Sequence, residues 1–316
     1  MSLIARKWVA VDFGGPEVLR NVEVDVPDPG PGQVTIEVRA AGMNPADAKH
    51  IAPGQDRALL PLSVGYEVAG VVTAFGPGTE LASGGGAVGG QVVAAMVDGG
   101  YTIAITVPAS DVFAKPTTLS FPQAANLLLV GITTANLLHS SAAKEGETVL
   151  LHGAAGAVGV SVLQQARLLG VRVVGTASQA NFEFVQFYGG IPVEYGPGLL
   201  DRVRAAAPEG IAAALDTVGS NEAGDVSLAL VADRNRVITI ADARRAQADG
   251  YVFVGSSNPA SGPFRARARG RILKLAQDGD LVVPMGETFE FADAAAAFTT
   301  LITPRPPGKL ALASEH

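Results

Sequence analysis

The chain contains no cysteine, which excludes disulfides and thiolate metal sites. Histidine is scarce: His50, His139, His152 and His316 are scattered without metal-ligand spacing. Aromatic residues make up 6% and charged residues 17%. The net charge of −7 argues against nucleic acid or an anionic membrane as a main partner. No run of about 18 uninterrupted apolar residues occurs, so no membrane span is expected. Arg6, Lys7, Asp12 and Glu17 interrupt the apolar residues between Met1 and Arg20, so no signal peptide is expected. A cytoplasmic protein is the default. No Gly-x-Ser-x-Gly elbow supports a hydrolase.

What is present is a globular composition. The 316 residues are 48% apolar, enough for two domains or one large one. Up to about Ser120 the pattern is β-rich, with short runs such as Trp8-Val-Ala-Val, Val22–Val26, Val34–Val38, Val68–Val72 and Val92–Met96. Val34, Ile36 and Val38 alternate with Thr35, Glu37 and Arg39, the period of a half-buried strand. Pro-Gly punctuation separates these runs, and their close spacing predicts a small barrel.

From Phe121 the pattern changes. A helix is expected over Phe121–Leu138, with Pro122 in its first turn. Strands are expected at Thr148–His152, Val171–Thr176, Ala213–Asp216, Arg236–Ile240 and Tyr251–Val254, with helices such as Val158–Leu169 and Phe182–Tyr188 between them. Such alternation implies a parallel sheet covered on both faces. A helix over Phe264–Gln277, a strand at Thr288–Phe291, a helix over Asp293–Leu301 and a last strand at Lys309–Leu312 follow, and this tail is expected to return to the first domain.

The chemistry-bearing motif is His152-Gly-Ala-Ala-Gly-Ala-Val-Gly159. A strand enters it and an apolar helix leaves it, the context in which such glycines bind a dinucleotide. Gly153 permits the tight turn, Gly156 lets the backbone approach the diphosphate, and Gly159 lets the helix pack on the sheet. The main chain from Gly153 through Ala154, Ala155, Gly156, Ala157 and Val158 to Gly159 is the candidate cradle, at the positive end of a helix. The second strand ends Gly175-Thr176-Ala-Ser178 without the acid that holds an NAD ribose, which favours NADP. Ser178 and Asn181 are neutral donors for a 2′-phosphate, or caps of the next helix.

The chain resembles the medium-chain dehydrogenase/reductase superfamily, in its zinc-free quinone oxidoreductase branch. The resemblance rests on Gly14-Gly-Pro-Glu-Val-Leu19, Pro27-x-Pro-x-Pro-Gly32, Ala40–Asp47, Gly65–Val72, Gly131-Ile-Thr133, the glycine turn, Asp216-Thr-Val-Gly219 and Gly308–Leu312. It implies an α/β chain with a GroES-like β-barrel catalytic domain (1–122, completed by 263–316) and a Rossmann parallel-sheet dinucleotide-binding domain (123–262). The active site is then expected in the cleft between them. Zinc-dependent relatives carry ligands on the motifs that here read Gly42-Met-Asn44 and Gly65-Tyr66-Glu67, so no metal is expected.

By the same resemblance, Thr133, Val218, Ile240, Phe253 and Gly255 are expected along the cofactor, and Thr176, at the end of the second strand, is a further candidate contact. Tyr195 matches a tyrosine beside the 2′-phosphate, and Lys309 a basic residue near the cofactor. Asn44, Lys49 and Tyr66 are the candidate catalytic side chains, as donors to the acceptor oxygen. Each has a plainer reading: Asn44 as a turn residue before Pro45, Lys49 as a solvated lysine, Tyr66 as a half-buried wall. Asp47 is expected to make a structural hydrogen bond and His152 to be structural. Arg265, Arg267, Arg269 and Arg271 are expected on a solvated helix. Three positions depart from the family pattern: Lys49 stands where many quinone reductases have Tyr, Gly89-Gly-Gln91-Val replaces Gly-Asp-Arg-Val, and Tyr101–Val107 is less polar than usual. Asn181 stands where some NADPH-preferring relatives have Lys. The expected activity is NADPH-dependent reduction of a quinone or an α,β-unsaturated carbonyl by a homodimer. The alternative is an NADP(H)-binding protein with a structural or redox-sensing role.

Overall fold

The computed structural model describes residues 3–314 except Gln55, Ser256 and Ser257. His316 therefore lies outside the described residues. The chain divides into two compact units, 1–129 with 273–316 and 130–272.

The first unit begins with β1 (Leu3–Ala10), β2 (Leu19–Val26), β3 (Gln33–Gly42), α1 (Pro45–His50), β4 (Leu62–Ser63), β5 (Glu67–Phe75), β6 (Gln91–Ala95), β7 (Ala104–Pro108), β8 (Val112–Ala114) and α2 (Phe121–Ala124). α3 (Leu128–Ser140) carries the chain into the second unit. There follow β9 (Thr148–His152), α4 (Ala157–Leu168), β10 (Arg172–Ala177), α5 (Phe182–Phe187), β11 (Ile191–Glu194), α6 (Leu199–Ala206), β12 (Ala213–Asp216), α7 (Asn221–Leu230), β13 (Val237–Thr239), α8 (Ala243–Asp249) and β14 (Val252–Phe253). α9 (Gly262–Asp278) returns to the first unit, which ends with β15 (Met285–Glu290), α10 (Ala294–Ile302) and β16 (Lys309–Ala313). The divisions thus fall in the first turn of α3 and within α9, whereas the sequence placed them at 122/123, inside α2, and at 262/263, at the start of α9.

In the first unit, β2-β1-β4 forms one sheet and β15-β16-β3-β5-β6-β8 another, with β7 also paired to β3. The tail joins through β16, which runs antiparallel to β3 with Leu312 opposite Ala41. Along β3, Val34, Ile36 and Val38 are buried as their alternation requires. Thr35 breaks the pattern: it is also buried, and it shares a 2.8 Å hydrogen bond with Thr106, its cross-strand partner on β7.

The helix expected over Phe121–Leu138 is two helices. Ser120 caps α2, with Gln123 reaching back to the Ser120 N–H. The main chain at Ala125 comes against β3, where a Cβ on Gly42 would lie 2.0 Å from the Ala125 carbonyl oxygen. The second helix then starts on a buried anion: Leu129 N–H donates to Glu67 Oε1 at 2.6 Å. Phe121–Ser140 as a whole is long and apolar enough to cross a membrane, with 78% of its most apolar window buried inside the protein.

The second unit is a six-stranded parallel sheet in the order β11-β10-β9-β12-β13-β14. β9 and β12, in its middle, are buried at every residue, as strands covered on both faces must be. Two apolar clusters form the covers. One joins β9 and β12 to Val162, Leu163 and Ala166 of α4, the other joins the sheet to Leu199 and Val203 of α6. The Tyr251–Val254 run yields β14, which lies at the sheet edge. β11 carries only Ile191 and Val193 as strongly apolar residues, too short a run to have been read as a strand.

Candidate functional site

Parallel strands deliver their following loops to one edge of a sheet. The turn after β9, Ser178 after β10, Tyr195 after β11, Val218 after β12, Ile240 after β13 and Gly255 after β14 therefore share the carboxyl edge of the second unit's sheet. Most of the dinucleotide residues expected from sequence meet there.

The turn itself is held by its neighbours. Gly153 adopts φ 85°, its N–H donates to Thr176 Oγ1 at 3.1 Å, and Ala154 N–H donates to the Thr176 carbonyl at 2.9 Å. Thr176 is thus a strut of the turn. A Cβ on Gly153 would lie 2.5 Å from Thr217 Oγ1. One on Gly159 would lie 2.2 Å from the Gly153 carbonyl oxygen and 2.7 Å from that of Ala154. Gly159 therefore closes the helix against the turn's own carbonyls, where the sequence placed it against the sheet. Gly156 precedes Ala157 at the start of α4, and an added Cβ would meet only the Gly153 oxygen, at 3.4 Å. Its outward side is open to a ligand. Ala155 and Val158 are half-buried beside it.

At the end of β10, Ser178 and Asn181 do not cap α5. Asn181 Nδ2 donates to Ser178 Oγ at 3.2 Å, so the two form one half-buried polar pair. Tyr195 is 56% exposed. Its loop is braced by Arg202, whose guanidinium donates to the carbonyls of Glu194, Gly196 and Pro197. After β12, buried Asp216 accepts the N–H groups of Val218 and Gly219 and the Thr239 hydroxyl, fixing a turn from which Val218 projects 54% exposed. Ile240 N–H donates to the Asp216 carbonyl. Phe253 packs among apolar residues of the sheet, and its carbonyl accepts from Asn258. His152 is structural: it is buried, shares a 3.1 Å hydrogen bond with Ser227, and burial lowers its pKa to about 4. Thr133 is buried on α3, and its hydroxyl accepts from Arg265 at 3.4 Å.

The remaining candidates belong to the first unit and centre on a buried polar cluster. Asn44 precedes α1, and its N–H donates to Asp47 Oδ2 at 2.7 Å. Asn44 Nδ2 donates to Glu67 Oε2 at 3.0 Å, and its Oδ1 accepts from Lys309 Nζ at 2.6 Å. Lys309 also donates to the Met43 carbonyl, and Tyr101 donates its hydroxyl to Asp47 Oδ2. Asn44, Asp47, Glu67, Tyr101 and Lys309 are all buried. Burial raises the Asp47 pKa to about 7, against the pull of its hydrogen bonds and of Lys309. Burial also raises that of Glu67 and lowers that of Lys309 to about 8.

The side chain of Asn44 thus belongs to this cluster, besides sharing a capping box with Asp47 at the start of α1, and does not stand open as a donor. Lys309 likewise spends two donors on Met43 and Asn44. Lys49 is exposed on α1. Tyr66 is half-buried, edge-on to His50 with ring centroids 5.7 Å apart. Burial, with Asp47 and Asp98 adding to it, raises its pKa to about 12, so its hydroxyl stays a proton-bearing donor. Sequence reading missed Glu67 and Tyr101 as members of this cluster. Its signal was an acid within an apolar run, Tyr66-Glu67-Val-Ala, which requires a buried partner.

Comparison with known proteins agrees with this architecture. Residues 30–117 match the alcohol dehydrogenase GroES-like domain, and residues 193–312 match a family described as zinc-binding dehydrogenase. The quinone oxidoreductase of Sus scrofa is 38% identical over 169 residues, covering 52% of this chain and 50% of that protein. The chain spans about half the length of the curated relatives it matches. Among solved structures, a mycobacterial quinone oxidoreductase is 30% identical with a TM-score of 0.79, covering 98% of this chain and 100% of that one. A mycobacterial protein solved with NADPH is 29% identical with a TM-score of 0.82, over the same shares.

Zinc does not fit the residues present. The chain has no cysteine, and the described residues hold no group of three or more His, Asp or Glu placed to bind a metal. Asn44, on one of the two ligand-bearing motifs, has both ends of its amide engaged. A dinucleotide does fit: Gly153 and Gly159 draw the turn tight, and beside exposed Gly156 an added Cβ would meet only the Gly153 oxygen, at 3.4 Å. Its two-unit architecture and these matches together show that the chain belongs to the medium-chain dehydrogenase/reductase superfamily.

Proposed function

We propose that the protein is an NADPH-dependent oxidoreductase that passes hydride to a quinone or an α,β-unsaturated carbonyl without a metal. The observation that carries this reading is the glycine turn, closed on itself by Gly159 and strutted by Thr176, at the carboxyl edge of a parallel sheet. When bound, NADPH supplies the hydride. Gly153–Gly159 would hold its diphosphate, and Val218 and Ile240 would flank the path toward the nicotinamide. The absence of an acid at the end of β10, with the Ser178–Asn181 pair in its place, supports NADP over NAD.

The acceptor gains negative charge on oxygen as hydride arrives, and without a metal this charge needs a hydrogen-bond donor. Of the three candidates, Tyr66 is best suited: its hydroxyl keeps its proton well above neutral pH. Asn44 is committed to Glu67 and Lys309, so its role is to hold the first unit's polar cluster together. Solvent supplies the final proton in this reading. A cytoplasmic homodimer remains part of the proposal, β14 being the edge strand open to a second copy.

The engagement of Asn44 and Lys309 favours one second reading, a protein that binds NADP(H) without turnover. Oxidation of NADPH by a panel of quinones and enones, read beside calorimetric binding, separates the two. Turnover supports the reductase; tight binding with no turnover on any acceptor supports the second reading and rejects the first.

A further inference from the structure

Four arginines punctuate α9, and the sequence assigned all of them to solvent. Arg267 and Arg271 are exposed, but Arg265 and Arg269 are half-buried. One helical turn separates these two, so they share a face.

That face is set against α3. His139 of α3 stacks on Phe264 with centroids 4.1 Å apart and planes within 6°. Farther along, a Cβ on Gly131 would lie 2.6 Å from Ile272 Cγ2, so only glycine there lets α9 come this close. Between these contacts the Arg265 guanidinium reaches Thr133, and Nη1 donates to its hydroxyl at 3.4 Å. Among the described residues no carboxylate lies within ion-pair distance of Arg265. The charge that acts on it is another cation, Arg269, and burial and Arg269 both lower its pKa. A guanidinium placed half out of water beside a like charge costs stability unless an anion joins it.

The position of Thr133 says which anion. The next residue, Thr134, donates its hydroxyl to the Val158 carbonyl at 3.3 Å, and Gln165 donates to the Gly131 carbonyl at 3.0 Å. α3 and α4 therefore run antiparallel, with Thr133 level with the first turn of α4. That turn is the end of the cradle. An α-helix N-terminus supplies only about half a positive charge, whereas a diphosphate carries about two negative ones. The guanidinium fork matches phosphate oxygens in geometry as well as charge.

We propose that Arg265, positioned by Thr133, binds a phosphate oxygen of the dinucleotide beside the first turn of α4. The inference rests on the dinucleotide reading of the glycine turn and adds to it a cationic ligand that the turn itself lacks.

The test is calorimetric binding of NADPH, and of 2′-phospho-ADP-ribose, which keeps the diphosphate without the nicotinamide. R265Q is expected to weaken both by about 10–100-fold, the loss of a charge-assisted hydrogen bond, while the acceptor KM at saturating NADPH stays unchanged. R265K, which keeps charge but not the fork, is expected to fall between R265Q and the unaltered protein. R267Q, on the exposed face, is expected to bind as the unaltered protein does. Thermal unfolding without ligand verifies that each variant folds; should R265Q fail to fold, R265K decides. NADPH binding unchanged in R265Q or R265K overturns the inference, as does a change confined to the acceptor KM. Failure of the unaltered protein to bind NADPH or NADH overturns the dinucleotide reading itself.

Discussion

The Lys309 ammonium donates to Asn44 Oδ1 at 2.6 Å, inside a site where both residues are buried. Its charge acts on two buried carboxylates, Asp47 and Glu67. Replacing it, K309M leaves the Met43 carbonyl and Asn44 Oδ1 without their donor and the acids without a counter-charge. Loss of one partner from such a cluster costs about 3–5 kcal/mol, read as a lower urea midpoint. The double variant E67Q/K309M is expected to recover part of this loss, because it removes one of the stranded charges.

The same cluster predicts a stability minimum against pH. Asp47 has a raised pKa, about 7 in the folded protein. Between about pH 4 and 7 the folded state keeps a proton that the unfolded state has lost, so this group's contribution to stability falls as pH rises. Lys309 has a lowered pKa, about 8. From there to about pH 10.4 the unfolded state holds the extra proton, so its contribution rises with pH. The cluster is therefore least favourable between these ranges. Urea unfolding across pH is expected to show D47N with a shallower acid-side decline, the part due to Glu67 remaining, and with the alkaline rise kept.

Gly159 predicts a loss of binding. In G159A the new methyl group would lie 2.2 Å from the Gly153 carbonyl oxygen, and backbone cannot yield cheaply. The turn must open, so calorimetry should show NADPH affinity falling by more than about tenfold, beyond what a shift of about 1–3 kcal/mol in stability explains. G156A is expected to unfold near the unaltered protein, since its added carbon meets only one atom at 3.4 Å, while still obstructing the ligand.

Cofactor choice is expected to respond to Asn181. Its amide bonds Ser178 in a half-buried pair that carries no charge. In N181K an ammonium stands where a 2′-phosphate is proposed. The ratio of NADH to NADPH dissociation constants should rise by about tenfold, the worth of one charge-assisted contact. An unchanged ratio places the 2′-phosphate elsewhere.

Much of the second unit was legible because its signals are local. β9 spans the expected Thr148–His152 around its apolar Val149–Leu151, and the glycine turn follows directly. β11 was not legible, because Ile191-Pro-Val-Glu gives too few apolar residues to mark a strand. The break between α2 and α3 was hidden for another reason. Its cause is Glu67, distant in sequence, whose carboxylate supplies the start of the second helix. The buried cluster is likewise non-local: Asn44, Glu67, Tyr101 and Lys309 come together only through strand pairing of β3, β5 and β16 and the loop carrying Tyr101. Nothing beside Asn44 in sequence announces that its amide is already engaged.

The central claim is hydride transfer from a cofactor held at the glycine turn. Its most direct measurement uses NADPH deuterated on each face of C4 in turn, with a quinone or enone acceptor and mass spectrometry of the product and the spent cofactor. The account predicts that one face alone delivers its deuterium: an enone product retains it on carbon, and with a quinone it leaves the cofactor and exchanges into water. NADPH bound at the turn but recovered with its label intact on both faces, whatever the acceptor, would contradict the account.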